Sequence, residues 1–199
     1  VGTPALPPQM AAIQTSGQTF GGALSGGSAL SLETRTGMRV LDLTDPSSPQ
    51  EVGYVALPHP LNGITASGHL AFVSGGAIGV HVVDVSDPGS PALIAVADTP
   101  GTASAVSLSG QHAFVADGYS GLRVLDIHSP GSVFEVGSLA MAGDAHAIAV
   151  SGSIAYIVDS DVLRVIDVST PSAPAELGSC PLPRVGDSVA FSRGHAYVA

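Results

Sequence analysis

One six-residue pattern returns along this chain at a nearly constant interval. Met38-Arg39-Val40-Leu41-Asp42-Leu43 comes back as Val80-His81-Val82-Val83-Asp84-Val85, as Leu122-Arg123-Val124-Leu125-Asp126-Ile127 and as Leu163-Arg164-Val165-Ile166-Asp167-Val168. The four aspartates follow one another at 42, 42 and 41 residues. A strand-rich unit repeating every ~40–45 residues cannot bury its apolar faces alone and must stack on its neighbours, which is how the blades of a β-propeller are built.

Each repeat reads as four short strands. In the third copy they are Ala103–Leu108, His112–Ala116, Leu122–Ile127 and Val133–Ser138. Ser-Gly follows the first strand at Ser67-Gly68, Ser109-Gly110 and Ser151-Gly152, with the variant Ser192-Arg193-Gly194. A proline turn separates the third strand from the fourth, as in Asp87-Pro88-Gly89-Ser90-Pro91. Proline presets φ for a turn and removes a ladder donor, so these sites lie between strands. Runs such as Val82-Val83-Asp84-Val85 are apolar on both faces, which fits a sheet covered on both sides. No stretch of useful length follows the helical period.

The expected architecture is all-β: a β-propeller of ~42-residue, four-stranded blades, about 4.5 of them present, as in a fragment or an incomplete propeller. It forms one domain over 1–199, with repeats at about 8–58, 59–101, 102–143, 144–185, a partial one at 186–199 and a strand of a preceding repeat at 1–7. The first repeat is irregular. Ile13 and Ser16-Gly17 match Ile64 and Ser67-Gly68 at an offset of 51, leaving 9 residues too many before Asp42. The Gly-, Ser- and Thr-rich stretch Phe20 to Thr36 is expected to hold them as an elongated hairpin or rim loop.

The repeats Ala113-Phe114-Val115-Ala116-Asp117-Gly118, Gly121-Leu122-Arg123-Val124-Leu125-Asp126-Ile127 and Leu163-Arg164-Val165-Ile166-Asp167-Val168-Ser169-Thr170-Pro171 resemble the LVIVD repeat. The resemblance covers almost the whole chain, most clearly from Gly53 onward. It implies a propeller of the kind found in bacterial and archaeal secreted or cell-surface proteins, and it brings no catalytic residue set. WD-type blades fit less well, since the chain has no tryptophan.

Charge narrows the partners. Six basic residues, all arginine, stand against 16 acidic ones, a net charge of −10. An acidic surface without a basic stripe argues against nucleic acid. The longest apolar run, Ala92 to Ala97, has six residues and is far short of the ~18 of a membrane span. The single Cys180 forms no intrachain disulfide and no thiolate cluster. Val1 does not open on a signal peptide.

Function points in two directions. The first reading is a non-catalytic secreted or cell-surface interaction or scaffold module, with a protein or carbohydrate partner at the rim loops and no cofactor. The alternative is a propeller enzyme, a hydrolase or lyase, or an ion-binding propeller that uses polar residues at the channel mouth. Five residues before each Ser-Gly position stand Asn62, Ser104, His146 and Asp187, at the opening of the first strand. In a propeller they would ring one mouth of the channel, as a ligand site or as local hydrogen-bonding groups. Asp42, Asp84, Asp126 and Asp167 are structural repeat positions, expected to accept N–H bonds from the following turn. His69, His112 and His195 sit near second strands, one per blade, and read as solvated turn residues. Asp159-Ser160-Asp161 reads as a tight turn rather than a calcium loop. Arg39, Arg123 and Arg164 share a position with His81 and are expected to pair with acidic residues. No metal site is expected.

Overall fold

The structure, a computed structural model, describes residues 11–15, 17–33 and 36–199. Four four-stranded antiparallel sheets follow one another along the chain. The first holds β1 (Thr19–Ser25), β2 (Ser28–Glu33), β3 (Gly37–Asp42) and β4 (Gln50–Ala56). The second holds β5 (Gly63–Ser67), β6 (Leu70–Ser74), β7 (Val80–Asp84) and β8 (Ala92–Ala97). The third holds β9 (Ala105–Ser109), β10 (His112–Ala116), β11 (Leu122–Asp126) and β12 (Phe134–Leu139). The fourth holds β13 (Ala145–Ser151), β14 (Ile154–Asp159), β15 (Val162–Asp167) and β16 (Ala175–Pro181). A two-stranded sheet, β17 (Val189–Ser192) and β18 (His195–Val198), opens a fifth. Strand order equals chain order in every sheet, so each is a meander blade, and the chain is an all-β propeller.

The first strands pack side by side, β1 on β5, β5 on β9, β9 on β13 and β13 on β17, and so form the inner wall. Apolar clusters fill the spaces between blades. Leu30, Leu32, Met38 and Val40 of the first blade meet Ala71, Val73, Val83 and Val85 of the second. Phe72, Val80 and Val82 meet Ala113, Val115 and Leu125, and Phe114, Leu122 and Val124 meet Ala155, Ile157 and Ile166. Both faces of the middle strands are therefore buried, which is why their sequences do not alternate. Each fourth strand also bulges against its third at the same place, with Val52, Ile94, Val136 and Leu177 as the extra residue.

Hydrogen bonds stitch blade to blade. Gly76 and Ala103 exchange N–H···O bonds of 3.1 and 2.9 Å, and Gly118 and Ala145 do the same at 2.9 and 3.1 Å. Gly76 has φ 59°, and a Cβ there would lie 2.5 Å from Pro60 Cγ. The approach of the neighbouring connection thus requires glycine.

The first blade corrects one expectation. Phe20 to Thr36 holds no insertion. It supplies β1 and β2, joined at Gly26-Gly27 by a turn as short as those of the other blades. The Ser-Gly dipeptide that matches Ser67-Gly68 is Ser25-Gly26, 42 residues earlier, rather than Ser16-Gly17. The extra residues therefore precede β1. The strand expected at 1–7 lies outside the described residues.

Candidate functional site at the inner strand ends

Antiparallel order puts two kinds of segment at one end of every blade: the turn from second to third strand, and the connection into the next blade. Asn62, Ser104, His146 and Asp187 all open their inner strands at this end. Because consecutive inner strands are neighbours, the four residues lie side by side along one mouth of the wall.

Their polar atoms are largely engaged with the adjoining chain. Asn62 Nδ2 donates to the Ala103 carbonyl of the next blade at 2.9 Å. Ser104 Oγ donates to the Thr102 carbonyl at 3.2 Å, and the Ser104 carbonyl accepts from Ser74 Oγ at 3.0 Å. Asp187 is exposed and its backbone N–H bonds the Ala199 carbonyl at 2.6 Å. His146 has a carbonyl at each ring nitrogen, that of Asp144 at Nδ1 (2.8 Å) and that of Gly186, in the next blade, at Nε2. Carbonyls only accept, so both contacts are hydrogen bonds only when both nitrogens carry protons. Burial pushes the His146 pKa down, but the two carbonyls and the nearby Asp144 and Asp187 carboxylates outweigh it and hold it above the usual value.

A second constellation sits behind this mouth, and its acids were not identified in the sequence. At the end of the second strand a buried carboxylate meets the arginine of the third strand, which also reaches a glutamate of the fourth. In the first blade Arg39 Nε is 2.7 Å from Glu33 Oε1, and its Nη1 bonds Glu51. In the third, Arg123 Nε is 3.7 Å from Asp117 Oδ2 and Nη1 is 3.3 Å from Glu135 Oε1. In the fourth, Arg164 Nε is 2.5 Å from Asp159 Oδ2 and Nη1 is 2.9 Å from Glu176 Oε2. The inner carboxylates are buried while the outer ones are about a third exposed. All four glutamates of the chain stand in these three chains of charge.

The inner acids of the first and third blades titrate in opposite directions. For Glu33, burial pushes the carboxyl up, but the bonds from Arg39 and Thr36 prevail and hold it below the ordinary value. For Asp117, burial prevails and the carboxyl is raised, even though Thr99 Oγ1 (2.7 Å) and the Gly101 N–H (2.9 Å) donate to it. Arg123 is too far away to reverse the balance.

The second blade replaces the whole set. Glycine (Gly75) stands for the acid, His81 for the arginine and Leu93 for the outer glutamate. His81 is wholly buried, and neither ring nitrogen has a hydrogen bond of standard geometry. Burial lowers its pKa. The Pro58 carbonyl opposes that shift and His59 adds to it. A Cβ on Gly75 would lie 2.5 Å from His81 Nε2, so the imidazole occupies the place of the missing acid.

The remaining sequence candidates fall elsewhere. Asp42, Asp84, Asp126 and Asp167 close third strands at the opposite end. Each Oδ1 accepts a 2.8 Å bond from the backbone N–H two residues on: Thr44, Ser86, His128 and Ser169. The Thr44 hydroxyl and N–H hold Asp42 below its usual value, and the Ser86 and Ser169 groups do the same for Asp84 and Asp167. His69, His112 and His195 stand in separate blades and do not converge. Their carbonyl, ring and Nδ1 contacts are with Val85, Phe114 and Arg193 respectively. In Asp159-Ser160-Asp161, Ser160 takes φ 58° and its Oγ accepts from the Asp144 N–H at 3.0 Å. Among the described residues no three His, Cys, Asp or Glu side chains cluster to hold a metal, and no helix is long and apolar enough to cross a membrane.

Comparison with known proteins agrees with this geometry. No curated protein matches the chain. Among solved structures, a functionally unknown protein from Desulfotomaculum acetoxidans superposes with TM-score 0.72 at 16% identity, over 86% of this chain and 62% of that one. The β-propeller domain of Cps50 (Swd1) from Myceliophteria thermophila gives 0.62 at 18% identity, over 78% and 53%. Sqt1 from Chaetomium thermophilum, bound to the N-terminus of a ribosomal protein, gives 0.70 at 16%, over 91% and 55%. The chain thus spans somewhat more than half the length of each. The LVIVD repeat profile matches residues 34–56, 62–99, 100–140 and 142–181, one stretch per complete blade. The chain belongs to the LVIVD repeat family.

Proposed function

We propose that this propeller is a non-catalytic interaction module, displayed or secreted outside the cytoplasm, that takes a basic protein segment at the end carrying the blade connections. The carrying observation is what that end exposes. Tyr119 is 81% exposed on the turn between β10 and β11. Asp98, Asp161 and Asp187 are exposed on turns and connections at the same end. An exposed aromatic at the same end as exposed carboxylates suits a segment that brings lysine or arginine, since the ring adds a cation–π partner to the acids. The chain's charge of −10 would steer such a segment inward.

Catalysis is the weaker reading, because His146 has both ring nitrogens on backbone carbonyls and so offers no free base. The structural similarity to Sqt1, seen with the N-terminus of a ribosomal protein, supports a protein segment as the partner class. The location rests on the family resemblance alone. Panning a random peptide library against the folded chain tests the proposal. Selected peptides should be rich in Lys and Arg, and a variant combining Tyr119→Ala, Asp98→Asn and Asp187→Asn should lose them. Peptides without basic enrichment, or binding indifferent to the variant, would remove the reading.

A further inference from the structure

The first inter-blade crevice is built from smaller side chains than the others. At the opposite end of the propeller from the inner-strand residues, a cavity of about 430 Å³ lies between the first and second blades. Its wall on the first blade is Gly27, Ser28 and Leu30, and on the second Gly68, His69 and Val85. The repeat shows what normally fills this space. In place of Gly27, Ser28 and Leu30, the second blade carries His69, Leu70 and Phe72, the third Gln111, His112 and Phe114, and the fourth Ser153, Ile154 and Tyr156. The register confirms the equivalence: Leu30 pairs Val40 as Phe72 pairs Val82, Phe114 pairs Val124 and Tyr156 pairs Val165.

In each later blade the aromatic ring enters the crevice. Phe72 and Phe114 are 1% and 2% exposed within their inter-blade clusters. Tyr156 stacks on Phe191 of the next blade at 4.7 Å between centroids. The opposing wall is small too, with Ala66 where the third blade has Leu108 and Val85 where it has Ile127. An aromatic ring, a leucine-sized side chain and a turn side chain are thus missing together from one crevice.

We propose that the crevice between the first and second blades binds a small monocyclic aromatic molecule bearing a hydrogen-bonding substituent, its ring taking the place of the absent phenylalanine. Beneath the mouth Leu30, Val40 and Val85 are apolar and only 1%, 0% and 5% exposed, so a ring reaches them by parting the two walls. The rim carries the Ser28 hydroxyl and the exposed His69, which suit a phenolic or amide edge. The volume falls within the roughly 300–1,000 Å³ usual for ligand pockets, and apolar cavities of only ~150 Å³ already hold benzene. Ser25 Oγ ties the two turns together at the mouth by a 2.8 Å bond to the Gly68 carbonyl, so a ring that enters the crevice has to displace this bond.

The test is a titration of the full chain with 4-methylphenol, followed by ¹H–¹⁵N NMR. Saturable binding is expected at about 1 mM, as suits so few ligand atoms. Shifts should concentrate on Gly27, Gly68 and Val85. Leu30→Phe should weaken binding by at least roughly tenfold and raise the melting temperature by about 2–4 °C, because it supplies the ring the crevice lacks. Ser28→Leu, which narrows the mouth from the rim, should also weaken binding. Lack of saturation, shifts outside the crevice, or binding unchanged in both variants would overturn the proposal. So would a Leu30→Phe chain that fails to fold, since a crevice that cannot accept its own family's ring cannot accept a foreign one.

Discussion

His146 Nε2 meets the carbonyl of Gly186 across the junction between the fourth and fifth blades, while Nδ1 holds the Asp144 carbonyl within its own connection. A single imidazole therefore ties two blades, and it does so fully only as the imidazolium. Its pKa is raised, so the folded state binds the proton more tightly than the unfolded chain. This contribution is complete below the unfolded value of about 6.5 and fades as the pH rises through the folded value. Melting curves of the parent and of His146→Ala should differ most in mild acid and converge in alkali. A gap independent of pH would show that the ring serves by packing alone.

His81 should behave in the opposite sense. It is buried with a lowered pKa, so the fold holds it neutral. Stability from this site is complete above about pH 6.5 and is lost as the pH falls toward the folded value. His81→Leu should remove that acid-side loss, though the void left by a changed shape lowers stability at all pH values. The discriminating quantity is the slope of melting temperature between about pH 5 and pH 7. An unaltered slope in His81→Leu would assign the acid sensitivity elsewhere.

The arginines of the charge chains are not equivalent, despite sharing a repeat position. Arg39 lies 2.7 Å from the buried Glu33, whereas Arg123 stands 3.7 Å from Asp117; each acid also has other donors, Thr36 and Gly17 for Glu33, Thr99 and Gly101 for Asp117. Removing one partner of a tight buried pair leaves an uncompensated charge, at a cost of about 3–5 kcal/mol. Arg39→Leu should approach that range, and Arg123→Leu should fall clearly below it. Urea denaturation of both variants measures the difference. Equal losses would mean that the outer glutamates, Glu51 and Glu135, set the energetics.

Much of this fold is legible because the repeat states the same thing four times. Asp42 and its counterparts mark the third strands, and the Pro turns mark the passage from third strand to fourth. The first blade was misread because Ser16-Gly17 and Ser25-Gly26 are the same dipeptide. Only the pairing of Ser28–Glu33 with Gly37–Asp42 separates them, and that pairing is a contact between strands that local pattern does not carry. The buried acids were missed for a related reason. Their position reads Glu33, Gly75, Asp117 and Asp159, so identity never repeats strictly, and the glycine hides the column. The shared repeat position of Asn62, Ser104, His146 and Asp187 is legible from the period alone. Their engagement with carbonyls is not, because backbone atoms leave no mark in the sequence.

The second blade offers a direct check on whether the charge chain is a unit. Gly75→Asp alone should be severely destabilising, since its Cβ would sit 2.5 Å from His81 Nε2. His81→Arg alone should also destabilise, because the guanidinium would be buried without an acid. The Gly75 backbone is not in the left-handed region, and once the imidazole has gone the next atom a Cβ there would meet is the Gly79 carbonyl oxygen at 3.2 Å, a tight contact that a shift of a few tenths of an ångström relieves. Combining Gly75→Asp and His81→Arg should therefore recover stability well beyond the sum of the single effects, and adding Leu93→Glu should recover more. Residues in one buried network commonly couple by about 0.5–3 kcal/mol. A cycle measured by urea denaturation that closes additively would show that Gly75 and His81 are independent substitutions. Strong positive coupling would show that the second blade exchanged one complete solution for another, with a buried neutral ring in place of the charge chain.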